Sequence, residues 1–253
     1  MMQKQYGVLV IHGFTAFPGS VAPLVDALAA RDVHVAAPVL KGHGESSPEH
    51  LRGVTWQDWM LDAETAFTEL SRQVDHILVV GHSMGALIAL NLAARFQDAQ
   101  LDALVLAAPP FRVTSMLGPG RPLHAFAPLL KRLFRSWELD TEFGDREEVC
   151  RSVHYHWAPT DAIFSFFKLI AYTEDRLKNV RAPFLLLLGG RDRTIRAESA
   201  EVLDKGVATR AEEKEVLLLE LSDHQMFCDS EKERAIDAVT AYLCSRFPCS
   251  EQL

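Results

Sequence analysis

The sequence predicts an α/β protein, a mostly parallel sheet with helices on both faces. Three observations carry that expectation. Short apolar runs rich in β-branched residues alternate with longer stretches of helical apolar spacing, the pattern of parallel strands joined by crossover helices. One run, Ile77–Val80, passes straight into Gly81-His82-Ser83-Met84-Gly85 and then into a proline-free stretch of helix formers ending near Phe96. The alternation lapses at Pro109-Pro110 and resumes at Ala182-Pro183. The expected division is a core of residues 1–108 and 181–253 with a small helical cap inserted at 109–180.

Taken in order, Tyr6–Ile11 (YGVLVI) reads as the first strand and runs into His12-Gly13-Phe14-Thr15. Ser20 is placed to cap a helix reaching about Arg31, with Pro23 tolerated in its first turn. Val33–Pro38 is a strand, and Lys41–Pro48 (KGHGESSP) is a loop dense in turn formers. Thr55 is expected to cap a helix whose Trp59, Ala63, Phe67 and Leu70 keep helical spacing. Leu101–Ala108, Phe184–Leu188 and Val216–Leu221 read as further strands. Helices are expected near Glu198–Lys205 and over Glu231–Arg246, the last burying Ile236, Val239 and Leu243.

Composition narrows the function. The balance of 26 basic and 34 acidic residues gives a net charge of −8, which disfavours nucleic acid or an anionic membrane as partner. No apolar run approaches the roughly 20 residues of a spanning helix, and MMQKQ leads into a strand without a signal-peptide core. Cys150, Cys228, Cys244 and Cys249 show no metal-ligand spacing, so reduced thiols and a cytoplasmic location are expected, with two disulfides as the alternative. His154 and His156 have no further ligand signature nearby, and no metal is expected.

Strand, Gly-x-Ser-x-Gly and helix together form a nucleophile elbow. The chain turns so sharply at Ser83 that a side chain two residues to either side would meet neighbouring backbone. Glycines at 81 and 85 avoid that, and the helix N-terminus points its partial positive charge at the hydroxyl. A serine hydroxyl is a weak nucleophile, so an imidazole must take its proton and a carboxylate must orient and stabilise that imidazole. Sites in such sheets form beyond the C-terminal ends of strands. Asp192 follows Phe184–Leu188 and His224 follows Val216–Leu221, giving the order Ser83, Asp192, His224 that the elbow requires. Asp223 is the weaker candidate because neighbouring side chains diverge. His12 and His82 read as loop-shaping residues, and His43 and His50 as surface residues. The oxyanion donors are expected to be the backbone N–H groups of Phe14 and Met84; losing one such donor typically costs about 3–4 kcal/mol of transition-state stabilisation.

With HGFT at 12–15, KGHG at 41–44, GHSMG at 81–85 and a short inserted cap, the chain resembles the α/β-hydrolase superfamily over essentially its whole length. Within it the chain is similar to the small bacterial carboxylesterase and monoacylglycerol lipase group. The resemblance implies a Ser83–His224–Asp192 triad, no cofactor, and a sheet shortened at its N-terminal edge. Serine at 83 argues against dehalogenases and epoxide hydrolases, whose nucleophile is a carboxylate. Arg191 and Arg193 bracket Asp192 and are potential competitors for its carboxylate.

The cap aromatics Phe126, Phe134, Trp137, Tyr155, Trp157, Phe164, Phe166, Phe167 and Tyr172, with Leu117, Leu129, Leu130 and Ile163, suit an acyl chain or pack the cap onto the core. Leu129–Trp137 mixes apolar residues with Lys131, Arg132 and Arg135, which suits transient contact with a lipid surface or a plain amphipathic helix. The expected activity is hydrolysis of small-molecule carboxylic esters, short- to medium-chain and including monoacylglycerols, through an acyl-enzyme. The expected state is a monomer or small homo-oligomer. A thioesterase, C–C hydrolase or acyltransferase would use the same triad, and a non-catalytic receptor would share the fold.

Overall fold

A computed structural model describes residues 5–31, 33–119, 121–122, 133–139 and 154–247. Its strands in chain order are β1 (Tyr6–Ile11), β2 (His34–Ala36), β3 (His76–His82), β4 (Leu101–Ala107), β5 (Ser136–Glu138), β6 (Trp157–Pro159), β7 (Phe184–Gly189) and β8 (Lys214–Leu219). The described helices of eight residues or more are α1 (Ala22–Ala29), α2 (Trp56–Ser71), α3 (Met84–Phe96), α4 (Thr160–Glu174), α5 (Glu198–Gly206) and α6 (Lys232–Arg246). Six strands form one sheet in the order β2-β1-β3-β4-β7-β8, every neighbouring pair parallel.

Period-two alternation divides the core. Val8, Val10, Leu78 and Val80 face α1 and α6, where Leu24, Leu28, Val239 and Leu243 meet them. Leu9, Ile11, Ile77 and Val79 face α2 and α3, with α4 beyond. Each such fully buried side chain contributes about 1.5–3 kcal/mol relative to exposure. α3 is buried at every position from Met84 to Ala93, a run that is apolar apart from Asn91 and small where the sheet presses on it. The chain goes outward from β1 to β2 and then crosses back to β3 on β1's other side. The loops after β1 and β3 therefore open a crevice at a topological switch point.

Several boundaries differ from expectation. Ser20 does not cap α1: its hydroxyl donates to Phe17 O at 2.8 Å within a 3₁₀ turn over Pro18–Ser20, and α1 starts two residues later. Asp58 accepts both the N–H and the hydroxyl of Thr55 at 2.9 and 2.7 Å, fixing the start of α2 as the sequence suggested. β2 is only three residues long, and β8 lies two residues earlier than expected. Ile236 is partly rather than fully buried.

The thiol expectation is corrected: Cys228 and Cys244 are both disulfide-bonded. Spacing along a chain reports local ligand sets and cannot report which cysteines meet in space. The segment between β4 and β7 is not purely helical either, since β5 and β6 pair antiparallel with Trp137 opposite Ala158. Tryptophan favours the pleated surface that this ribbon supplies. Phe126, Leu129, Leu130, Lys131 and Arg132 lie outside the described residues.

Candidate active site

Ser83 stands between β3 and α3 with φ 53° and ψ −117°. The turn is forced by close approach: a Cβ on Gly81 would lie 2.2 Å from Gly85 O, and one on Gly85 would lie 2.1 Å from Ile11 O. The Ser83 N–H donates to Ala107 O at 2.8 Å, tying the turn to the end of β4. Its side chain projects into the crevice and is 8 % exposed.

The three residues picked from separate loops meet. The His224 Nδ1–H donates to Asp192 Oδ2 at 2.7 Å, and the Ser83 hydroxyl donates to His224 Nε2 at 2.8 Å. An ionised carboxylate only accepts, so it places the ring proton on Nδ1 and leaves Nε2 bare for the hydroxyl. The other Asp192 oxygen accepts the N–H groups of Thr194 and Ile195 at 2.8 and 3.0 Å. Burial alone would raise the Asp192 carboxyl, but the His224 charge and hydrogen bond and those two amides outweigh it and hold it below its ordinary value. For His224 burial pulls down, yet the Asp192 charge and hydrogen bond win and lift the imidazole above its ordinary value.

The flanking arginines do not take the carboxylate. The Arg193 guanidinium lies 3.8 Å from Asp223 instead. Asp223 accepts the His224 backbone N–H at 2.6 Å and the Arg193 N–H at 3.3 Å, so it shapes the loop rather than facing the ring. Its own N–H is anchored on Asp229 at 2.6 Å.

Met84 is the first residue of α3, where an N–H has no acceptor inside the helix. Phe14 lies across the crevice. A Cβ on Gly13 would stand 3.2 Å from Ser83 Cβ, so this loop rests against the serine. The Phe14 ring stacks on Phe166 at 5.2 Å between centroids and 5° between planes.

Four more histidines surround this group. His12 and His82 shape loops as expected: Leu40 N–H donates to His12 Nε2 at 3.1 Å, and His82 Nε2–H donates to His224 O at 2.8 Å. His43 contradicts its surface assignment. It is 2 % exposed, packs against His12, Phe14 and Trp59, and accepts the Thr15 N–H at 3.1 Å. A loop rich in glycine and serine reads as solvated, and only the fold reveals that the histidine turns inward. His154 is also buried and lines the cavity, a placement for which no sequence signal was available. Burial lowers His12 to about 4 and His82 and His154 to about 3, and takes His43 well below its ordinary value. His50 is half-exposed.

A cavity of about 620 Å³ opens over Ser83 and His224. Leu117, Ile163, Phe164, Phe166 and Phe167 supply apolar lining, and Glu138, His154, Arg193 and Gln225 polar lining. Trp137 joins them, whereas Phe134, Tyr155, Trp157 and Tyr172 do not line it. Tyr172 packs on Trp56, and the Tyr155 hydroxyl bonds the backbone of Gly42 and Glu45. The arrangement suits attack on a carbonyl carrying an apolar group, with a polar side for what departs.

Comparison with known proteins agrees. The chain is 29 % identical over 239 residues to the thermostable monoacylglycerol lipase of Bacillus sp. (strain H-257), covering 91 % of this chain and 87 % of that one. It is 24 % identical over 237 residues to a carboxylesterase of Bacillus subtilis (strain 168), covering 93 % and 91 %. Among solved structures, one from work on LipS and LipT, two metagenome-derived lipolytic enzymes, superposes with a TM-score of 0.84 at 26 % identity, covering 96 % of this chain and 94 % of the other. The sequence profile of the Hydrolase_4 family, described as serine aminopeptidase, S33, matches residues 3–231. With its six-stranded parallel sheet and its serine at the elbow, the chain belongs to the Hydrolase_4 family of α/β hydrolases.

Proposed function

We propose that this chain is a carboxylic ester hydrolase that works through an acyl-enzyme on Ser83 and accepts short- to medium-chain acyl esters, monoacylglycerols among them. The observation that carries the reading is the pair of bonds through one imidazole, 2.8 Å to Ser83 and 2.7 Å to Asp192. Ser83 Oγ attacks the ester carbonyl while His224 Nε2 takes its proton. Asp192 stabilises the resulting imidazolium. The oxygen that gains charge is met by the N–H groups of Phe14 and Met84. His224 then hands its proton to the departing alkoxide, leaving the acyl group on Ser83. A water molecule, deprotonated by the same ring, releases the acid and restores the serine.

Residues 109–180 act as the cap in this reading, with Phe164, Phe166 and Phe167 holding the acyl chain. The lipase and carboxylesterase among the relatives favour an oxygen ester over the thioester or carbon–carbon bond that the same three residues would serve. Met116, Leu133 and Phe134 are exposed apolar side chains of this segment and suit transient contact with a lipid surface. No helix among the described residues is long and apolar enough to cross a membrane. Disulfides persist in oxidising compartments, so Cys228 and Cys244 count against the cytoplasmic location expected from the sequence.

A fluorophosphonate probe should label the wild type and not Ser83→Ala, whose kcat should fall by about 10⁶-fold. Labelling that persists in the variant would exclude Ser83 as the nucleophile. Turnover of aryl esters of graded chain length, monoacylglycerols and acyl-CoA then ranks the substrate classes, and a clear preference for acyl-CoA would overturn the oxygen-ester assignment.

A further inference from the structure

Two loops at the sheet's C-terminal edge exchange histidines. The loop after β1 sends His12 across, and its Nε2 accepts the Leu40 N–H at 3.1 Å. The loop after β2 sends His43 back, and its Nε2 accepts the Thr15 N–H at 3.1 Å. Each ring is also held by its own Nδ1–H. That of His12 donates to Gly13 O at 2.9 Å, and that of His43 is shared by Leu40 O and Lys41 O at 3.2 Å each. A backbone amide can only donate, so both Nε2 atoms are bare and both rings are neutral. The rings meet edge to face with centroids 5.0 Å apart, and both are almost fully buried. Burial disfavours the imidazolium in each, which keeps the tautomers fixed near neutral pH.

What this exchange holds is the turn that carries Phe14. Thr15 has φ 60°, a left-handed conformation costing about 1–2 kcal/mol for a residue with a Cβ. The bond from its N–H to His43 is made in that conformation. Phe14 is next to Thr15, and Gly13 on its other side rests against Ser83. His43 also packs on Phe14 itself, at 6.1 Å between ring centroids.

We propose that His12 and His43 form a reciprocal brace of neutral imidazoles, and that His43 is a positioning residue that aims the Phe14 N–H at the oxyanion. The proposal rests on the reading of Ser83 as nucleophile and of Phe14 as donor. It assigns a task to two histidines that exchange no proton with substrate. It also gives the loop 40–44 a function in the reaction although none of those residues lines the cavity.

The test compares two amides at one position. His43→Gln can bring Oε1 to where Nε2 stands and so keep an acceptor for Thr15, whereas the shorter His43→Asn cannot reach. With an aryl ester, His43→Asn should lose about 10–10³-fold in kcat with KM within about 3-fold, and should bind a trifluoromethyl ketone, which mimics the tetrahedral adduct, weaker by the same factor. His43→Gln should recover most of both. Equal kcat in the two variants, or a loss confined to KM, overturns the brace. If both variants melt early, His12→Gln and His12→Asn repeat the comparison from the opposite loop. In the unaltered protein, ¹⁵N spectra of the two rings at pH 6 should report the neutral Nδ1–H tautomer, and a charged ring or the other tautomer overturns the proposal outright. Ser83→Ala, run alongside, separates the two failures. If it stays active the site itself is misassigned, and if it is dead while Gln and Asn behave alike only the brace falls.

Discussion

The loops around Ser83 and the segment between β4 and β7 are held to the molecule by different means. Around Ser83 the contacts run to the backbone: glycines pressed on carbonyls, Ser83 N–H on Ala107 O, the Asp192 carboxylate on two amides. The segment of 109–180 is tied by backbone near residues 112–114 and 155. There Arg112 O accepts the Arg196 N–H at 2.8 Å, the Thr114 N–H donates to Thr194 O at 3.0 Å and the Tyr155 N–H donates to Thr15 O at 3.0 Å. Its helix α4, by contrast, is attached through side chains. Asn91 bonds Thr173 at 2.7 Å, and Asp161 and Ser165 accept the N–H groups of Gly53 and Trp56. Backbone ties leave little to vary without unmaking the fold. Side-chain ties can be exchanged one at a time, so on the proposed reading the two regions divide into a fixed reaction centre and a selector adjustable through α4.

Three experiments can break or sharpen that division. The largest effect belongs to the fixed part. Asp192→Asn should lower kcat by about 10⁴-fold with little change in fold. The same variant tests the titration. His224 must be neutral to accept a proton and its pKa lies above 6.5, so wild-type kcat/KM should rise with pH through a midpoint above 6.5. Without the Asp192 charge that midpoint should move to lower pH, and an unmoved limb would show that another group sets it.

Stability should respond to acid in the same sense. His12, His43, His82 and His154 are neutral when folded but take up protons near pH 6.5 when unfolded. Their folded values are depressed, so stability is intact above about pH 6.5 and is lost as pH falls towards about 4. Each contributes a slope of up to about 1.4 kcal/mol per pH unit. His224 works the other way, its contribution being present below pH 6.5 and fading as pH rises through its folded value. Urea midpoints at pH 7, 6 and 5 check this, and a flat series would mean the four rings are not protected.

The smallest effect belongs to the selector. Phe167→Ala removes a wall of the cavity, and should raise KM for the longer acyl esters about 10-fold while leaving kcat for acetate esters within about 2-fold. A collapse of kcat for every ester would place Phe167 with the reaction centre and erase the distinction drawn above.

Much of the fixed part was legible in the sequence. Parallel strands announce themselves as apolar runs, and the elbow needs glycines at 81 and 85 for reasons of space alone. Once the strands were placed, Asp192 and His224 followed from chain order. What stayed hidden depends on partners distant in sequence. His43 lies 28 residues from Thr15, and nothing local distinguishes its buried ring from a solvated one. Ser20 has a capping residue's chemistry but spends its hydroxyl on Phe17. The β5–β6 ribbon escaped because three-residue strands are too short to show a period, and the disulfides because cysteine pairing is a matter of distance in space.

The backbone at residue 83 has a consequence for durability. At φ 53° and ψ −117° a Cβ is tolerated only because the neighbouring strands and α3 leave the chain no other course. The fold would be sturdier with no side chain there at all. Ser83→Gly should outlast Ser83→Ala on heating by about 2–4 °C, since both lack the hydroxyl and only one keeps the misplaced carbon. Some of the protein's resistance to heat is thus given up to keep a reactive oxygen where it is needed, and breeding this chain for ruggedness alone would select against its own chemistry.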